Sequence, residues 1–326
     1  MGELVFVGLG LGDRGISLAG VRAIEAADLA YLERYTSPPS PTLITELEKA
    51  TGKKITLVGR EWVEDGRKIL DQASTSRVAF AVQGDPMIAT THNDLRVRAL
   101  ARGIRTSVIH GATIPAAAAS ESGLHYYKFG GTITFTRESS SHHQDVYQRI
   151  HGNLLGGQHT LLLLEYDVEK SDGVKPEFVF ERLLDAEKNF KRGVLSDGTF
   201  AIVLGRVGMG DQEIHGGAIG ALQSVRFGPP PHCVIIPGRL HFTEEETDSV
   251  LKGLVHEANT ARPKPDPLLP CPRCGKPMGK VRHNAARLIA LDRCDAHGLW
   301  LDTKELKQAQ VAAQALKLVL SKRVEA

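Results

Sequence analysis

Cysteine is scarce here, with four residues in a chain of 326. That is too few for the disulfide framework on which small secreted domains depend. Long apolar runs are also missing. None approaches the length of about 18 residues that a membrane-spanning helix needs, so no membrane partner is expected. The opening Met1-Gly2-Glu3-Leu4-Val5-Phe6 has no Ser or Thr at position 6, as a myristoylation signal would require, and no basic-then-apolar leader. A reducing interior is expected, with the cytoplasm as its default. A large charge of one sign is lacking too: the formal balance is only +2. It is unevenly spread, however. From Ala261 to Ala326 there are 13 Lys/Arg against 6 Asp/Glu, so this segment carries +7 and the first 260 residues carry −5. A basic tail on an acidic body fits contact with something anionic such as RNA or a ribosome, and equally fits a solvated helix face.

What is present reads as an ordinary globular protein, with 42% apolar and 24% charged residues. The length exceeds one typical core, which predicts two or more domains. In the first part, β-rich runs at Leu4–Leu9, Leu29–Glu33, Lys54–Val58, Val78–Gln83 and Thr106–His110 alternate with amphipathic stretches near Ser17–Ala27, Leu43–Lys49, Asp65–Gln72 and Asp94–Ala101. That alternation marks βαβ units on a mostly parallel sheet. Strands are next expected at Thr132–Phe135, Thr160–Glu165, Phe200–Val207 and His232–Ile236, with less regular connections and fewer helices. The expected organisation is an N-terminal α/β domain at 1–125 and a second α/β domain at 126–260. A Pro-rich linker at 261–269 and a terminal module at 270–326 follow. Asp302 and Glu305 open a predicted C-terminal helix in capping-box fashion, with Leu306, Val311, Ala315, Leu318 and Val319 on its apolar positions.

The terminal module holds the most specific chemical signal. Cys271-Pro-Arg-Cys274 is followed after 19 residues by Cys294-Asp-Ala-His297. Each pair has the two-residue gap at which a tight turn points two side chains at one ion. Three thiolates and one imidazole make a closed tetrahedral set suited to a structural Zn²⁺. Gly275 and Gly298, each directly after a pair, supply the backbone angles such turns need. The pattern predicts a zinc ribbon with no open position for catalysis. Cys233 stands apart without an obvious partner.

Chemistry in the body centres on three strand ends. Gly8-Leu9-Gly10-Leu11-Gly12-Asp13 follows the first strand, but Asp13 stands where a dinucleotide fingerprint needs glycine. By itself the loop is as well a tight turn as a ligand site. Gly84-Asp85-Pro86 closes the fourth strand, and His110-Gly111-Ala112-Thr113-Ile114-Pro115 closes the fifth. Asp85 is placed to accept hydrogen bonds or face a cation, or is mere turn punctuation. Because open α/β sheets bind ligands at the carboxyl ends of their strands, the three loops suggest one composite pocket.

These motifs, with Ile16-Ser17-Leu18, Tyr31-Leu32-Glu33-Arg34-Tyr35-Thr36-Ser37, Ala89-Thr90-Thr91-His92-Asn93-Asp94-Leu95, Gly205-Arg206-Val207-Gly208 and Pro231-His232, resemble the diphthine synthases over about residues 3–245. These enzymes are a branch of the tetrapyrrole-methylase-like methyltransferases. His110–Ile114 departs from the family's HNASI loop, and Arg137–His143 replaces its Trp-Arg-Pro stretch. The ribbon lies outside the usual family architecture and resembles the small ribbon of transcription factor B. The resemblance implies a two-domain fold and S-adenosylmethionine as cofactor. Its acceptor is the amino group of a 3-amino-3-carboxypropyl histidine on translation elongation factor 2. It further implies a homodimer and a cofactor pocket made by Leu11, Asp85, Ile88, Thr113, Ile114, Leu164, Val207 and His232. No side chain stands out as a catalytic base. His232 alone reads as a core histidine, and His92, His142 and His143 as surface or structural. Two rival readings remain. One is a methylase of tetrapyrroles or ribosomal RNA on the same fold. The other is a zinc-ribbon RNA- or ribosome-binding adaptor without catalysis.

Overall fold

The computed structural model describes residues 2–137, 139–167, 172–245, 268, 270–283 and 286–300, without the side chains of 280–283 and 286–291. Two compact units emerge, Met1–Lys264 and Pro265–Ala326. The predicted C-terminal helix and most of the linker lie outside the described residues.

The first unit contains two five-stranded sheets. The first is assembled from β1 (Glu3–Gly8), α1 (Leu18–Glu25), β2 (Leu29–Glu33), α2 (Pro41–Thr51), β3 (Thr56–Val58), α3 (Arg60–Asp65), α4 (Arg67–Thr75), β4 (Arg77–Val82), α5 (His92–Ala101) and β5 (Arg105–Ile109). The strands run in the order β3-β2-β4-β1-β5, all parallel. Every residue of β1 is buried. Leu4 and Phe6 enter one apolar cluster, while Val5 and Val7 enter the cluster on the opposite face. That two-sided burial is why β1 reads as a continuous apolar run and does not alternate. Ser17 caps α1 by accepting the Gly20 N–H at 3.1 Å, and Ser40 caps α2 through the Leu43 N–H at 2.9 Å. The amphipathic stretch expected near Asp65–Gln72 falls on α4, and α3, which the sequence reading did not include, precedes it. Gly66, at φ +63°, adopts the left-handed conformation that ends α3 and opens α4.

After α6 (Ile114–Ser122) and a short 3₁₀ turn at Tyr126–Lys128, the second sheet begins. Its elements are β6 (Ile133–Phe135), α7 (Ser140–Leu155), β7 (Thr160–Leu164), the small β8 (Tyr166–Asp167) and β9 (Asp172–Gly173) pair, α8 (Pro176–Phe190), β10 (Phe200–Gly205), β11 (Glu213–Ala218), α9 (Ile219–Leu222) and β12 (His232–Ile236). The order is β11-β10-β12-β7-β6, antiparallel except for β6 beside β7. Ala201 and Val203 point into a cluster with Val146, Ile150, Phe180 and Leu183, so α7 and α8 cover the outer face. Phe200, Ile202 and Leu204 face Ala118, with Leu11 and Ile114 packed at the edge. One layer of apolar side chains thus packs the second sheet against α6 and the loop after β1. Both sheets belong to one compact unit, Met1–Lys264.

Helix content in this half exceeds the expectation, because α7 and α8 span 16 and 15 residues. Among the described residues no helix is long and apolar enough to cross a membrane. In the second unit, β13 (Gly279–His283), β14 (Ala286–Cys294) and β15 (Gly298–Trp300) form a three-stranded antiparallel sheet.

Candidate active site and metal centre

The three glycine-containing strand ends interlock. Gly10 and Gly84 exchange backbone hydrogen bonds: the Gly10 N–H donates to the Gly84 carbonyl at 3.1 Å, and the Gly84 N–H donates back at 2.8 Å. Gly111 sits so close that a Cβ there would lie 2.4 Å from the Gly84 oxygen. Across the unit, Gly12 at φ +71° brings its Cα against the turn after β10, and a Cβ would lie 1.9 Å from the Gly208 oxygen. Both readings of the glycine loop therefore apply. It is a tight turn required for packing, and it lines a cavity.

Asp85 ties the loops together. Its Oδ1 accepts the Met87 N–H at 2.9 Å; its Oδ2 accepts the Gly111 N–H at 3.3 Å and meets His110 Nδ1 at 2.7 Å. The Asp85 residue is buried while the His110 side chain stays largely exposed. Behind it, the His92 ring bonds the Pro86 carbonyl through Nδ1 at 3.0 Å and Tyr35 Oη through Nε2 at 2.9 Å. A carbonyl only accepts, so Nδ1 carries the proton, and the Tyr35 hydroxyl donates to Nε2. Burial holds the imidazole neutral and pushes its pKa down to about 4. His92 is thus a buried structural residue, wedged between Phe80 and the Tyr35 loop. His143 is likewise buried, stacked on Phe135.

These loops and the inner edge of the second sheet enclose a cavity of about 770 Å³. Leu11, Asp85, Ile88, Thr113 and Ile114 line it from the first sheet; Leu164, Val207 and His232 line it from the second. All eight residues implied by the resemblance therefore meet in one space. Ile88 reaches it from an exposed turn. His232 is 8% exposed, and its Nε2 has no hydrogen-bond partner, with the Glu213 carboxylate 3.8 Å away. Burial lowers its pKa, only partly countered by Glu213.

Sequence reading did not single out Arg34, Arg60, Glu165 and Asp172 as lining residues. Arg137 lies in the segment that departs from the family pattern. Its backbone N–H donates to Glu165 Oε2 at 3.0 Å, and its guanidinium pairs with Asp172 at 2.7 Å and donates to the Gly173 carbonyl at 2.8 Å. Only the register of β6 against β7 brings this segment to the cavity.

A cavity of this size lies within the range of about 300–1,000 Å³ typical of small-molecule sites. Apolar walls from Leu11, Ile114, Leu164 and Val207 suit a heterocycle. The unsatisfied His232 nitrogen and the polar Asp85 loop suit hydrogen-bonding groups. The residues present therefore fit a nucleoside-bearing cofactor.

In the second unit, one ligand atom from each of Cys271, Cys274, Cys294 and His297 lies within 4.8 Å of all the others. Cys274 Sγ is 3.7 Å from Cys294 Sγ, and His297 Nδ1 is 3.5 Å from Cys271 Sγ and 3.6 Å from Cys294 Sγ. A tetrahedron with Zn–S bonds of about 2.3 Å has edges of about 3.8 Å, so the set is sized for one such ion. None of the cysteines forms a disulfide. The first turn is closed by the Cys271 N–H to the Lys276 carbonyl and the Gly275 N–H to the Cys271 carbonyl, both at 2.8 Å. Gly275 and Gly298 take the left-handed angles expected of them, at φ +70° and +82°. Met278 is buried beside Cys271 and Cys294, with Trp300 packed on them.

Comparison with known proteins agrees with this geometry. A family described as tetrapyrrole (corrin/porphyrin) methylases matches residues 3–223. The diphthine synthase of Methanothermobacter thermautotrophicus is 36% identical over 245 residues, covering 74% of this chain and 93% of its own. That of Methanosarcina mazei is 39% identical over 250 residues, with the same coverage of 74% and 93%. A crystal structure of a diphthine synthase superposes with a TM-score of 0.67 at 31% identity, over 78% of this chain and 96% of the other. The matched family segment ends before the Cys/His cluster. The chain accordingly belongs to the tetrapyrrole methylase family and, within it, to the diphthine synthases: it is a methyltransferase that carries an additional module with a Cys/His cluster.

Proposed function

We propose that this protein uses S-adenosylmethionine to methylate the amino group of the 3-amino-3-carboxypropyl histidine of translation elongation factor 2. The observation that carries this reading is the convergence of Leu11, Asp85, Ile88, Thr113, Ile114, Leu164, Val207 and His232 on one cavity at the carboxyl ends of parallel strands. When bound, S-adenosylmethionine supplies a sulfonium methyl group: the acceptor nitrogen's lone pair forms the new N–C bond, the C–S pair stays on sulfur, and a nitrogen proton passes to solvent.

The protein's tasks are then alignment and exclusion of water. Leu11, Ile114, Leu164 and Val207 provide the dry walls, and Asp85 fixes the loop crossing through its Met87 and Gly111 N–H bonds. No leaving-group acid is needed, because the sulfonium's sulfur departs as a neutral thioether. We further propose that the chain works in the cytoplasm as a symmetric homodimer. Its four-ligand cluster would hold a structural Zn²⁺, and its basic C-terminal segment would help recruit the factor or a ribonucleoprotein through salt-sensitive contacts. The rival acceptors, tetrapyrroles and ribosomal RNA, gain no support from relatives named as diphthine synthases.

Titration calorimetry with S-adenosylmethionine tests the pocket. Wild-type protein should bind, and Asp85→Ala should weaken binding by about 1–3 kcal/mol as the loops lose their shared acceptor. Well-folded wild-type protein that binds no S-adenosylmethionine would overturn the cofactor assignment.

A further inference from the structure

Most charges that line the cavity already have partners. Arg60 Nε lies 3.4 Å from Glu64, Arg137 pairs with Asp172 at 2.7 Å, and Arg206 pairs with Asp211 at 2.7 Å. Asp85 is held by His110. Two lining residues stand out. Arg34 follows β2, and its backbone N–H is used by the Val58 carbonyl at 3.1 Å, yet its exposed guanidinium has no ion pair or hydrogen bond among the described residues. Glu165 follows β7, half-buried next to Leu164. Its backbone N–H donates to the Phe135 carbonyl at 3.0 Å, and its carbonyl accepts the Val174 N–H at 2.8 Å, so the residue is fixed in place. Its carboxylate accepts the backbone N–H of Arg137 and acts on that residue's guanidinium from a distance, but makes no ion pair within 4 Å among the described residues. Glu61 also lines the cavity, but it is exposed and sits in the first turn of α3, where a helix N-terminus already favours a negative charge.

An unpaired cation contributed by the first sheet and an under-engaged anion contributed by the second therefore border one space. Resting on the acceptor proposed above, we infer that Arg34 and Glu165 hold the amino-acid head of the modified histidine, Arg34 taking its carboxylate and Glu165 facing its amine. A guanidinium matches a carboxylate in a two-point fork. The amine turns cationic as it is alkylated, so a carboxylate fixed beside it stabilises charge that develops during the reaction. Arg34 would then act mainly in binding, and Glu165 mainly in the chemical step. The pair also explains how the enzyme distinguishes its acceptor from an unmodified histidine, which has neither group.

The test compares wild type, Arg34→Ala, Arg34→Lys and Glu165→Gln. The probes are S-adenosylmethionine alone and elongation factor 2 with or without the aminocarboxypropyl group. Calorimetry should give the same S-adenosylmethionine Kd, within about twofold, for all four proteins, which also reports folding. Arg34→Ala should raise KM for the modified factor at least tenfold with little change in kcat, and should lose most of the wild-type binding preference for modified over unmodified factor. Arg34→Lys should recover part of that preference. Glu165→Gln should lower kcat at least tenfold. If Arg34→Ala keeps the wild-type preference, the inference is wrong. It is equally wrong if either substitution weakens S-adenosylmethionine binding tenfold, since the charges would then serve the cofactor's own amino-acid end. Wild-type protein that shows no preference between the two factors would overturn the acceptor assignment and this inference together.

Discussion

At the scale of single residues, the site depends on groups whose roles are set by where they are buried. His92 is the clearest case. Sequence alone left it as surface or structural; the fold encloses it between Phe80 and Tyr35 and orients both ring nitrogens. Its pKa falls to about 4, against an ordinary value of 6.5. A depressed folded-state pKa means that the unfolded chain takes up the proton first. Stability is therefore complete above the unfolded value and is lost as pH falls from 6.5 toward about 4. His159 and His232 are shifted the same way, each chiefly by burial. Urea midpoints should accordingly be flat above neutrality and decline in that window, with His92 contributing up to about 1.4 kcal/mol per pH unit. A His92→Gln protein should start lower and show a shallower decline. An equal decline in both proteins would remove His92 from the account.

At the scale of elements, the first sheet was legible and the second only in part. Strands β1, β2, β4 and β5 lie within a residue or so of the runs read from sequence. Of these, β1 and β4 are legible because buried parallel strands are written as unbroken apolar runs, whereas β5, Arg105–Ile109, is an edge strand with no fully buried residue. Helix α7 was missed because two of its buried positions are histidines. His143 and His151 continue the inward face of Val146, Tyr147, Ile150 and Leu154, so the apolar period is hidden by residue type and not by spacing. Edge strand β11 carries Gly216 and Gly217, which weaken the strand signal. Glu187, in the last turn of α8, accepts the N–H groups of Gly193, Val194 and Leu195 at 2.7, 3.0 and 3.0 Å and the Tyr147 hydroxyl at 2.8 Å. Burial pushes its carboxyl up, but these donors win and hold it below its usual range. Glu187→Ala should strand several donors together and cost about 2–3 kcal/mol in denaturant unfolding. An unchanged midpoint would show that water replaces the clamp.

At the scale of the whole molecule, the chain joins a two-sheet methyltransferase body to a separate compact unit with one four-ligand cluster. The clustering of Cys271, Cys274, Cys294 and His297 was readable from spacing because a two-residue gap fixes local turn geometry. The cavity's charged border was not, since Arg34 and Glu165 are 131 positions apart and line one cavity only in the folded unit. Small units with little apolar surface to bury commonly draw folding energy from a bound ion. Elemental analysis should find one zinc per chain, and Cys294→Ser should lose it while leaving S-adenosylmethionine binding intact. Loss of both would mean that the cluster supports the body as well.

The most direct measurement is transfer of a labelled methyl group from S-adenosylmethionine, with three acceptors offered in parallel: elongation factor 2 bearing the aminocarboxypropyl histidine, the unmodified factor, and ribosomal RNA. The expected result is label on the modified histidine alone. Label on RNA, or none on the modified factor from protein that binds S-adenosylmethionine, would contradict the proposed function.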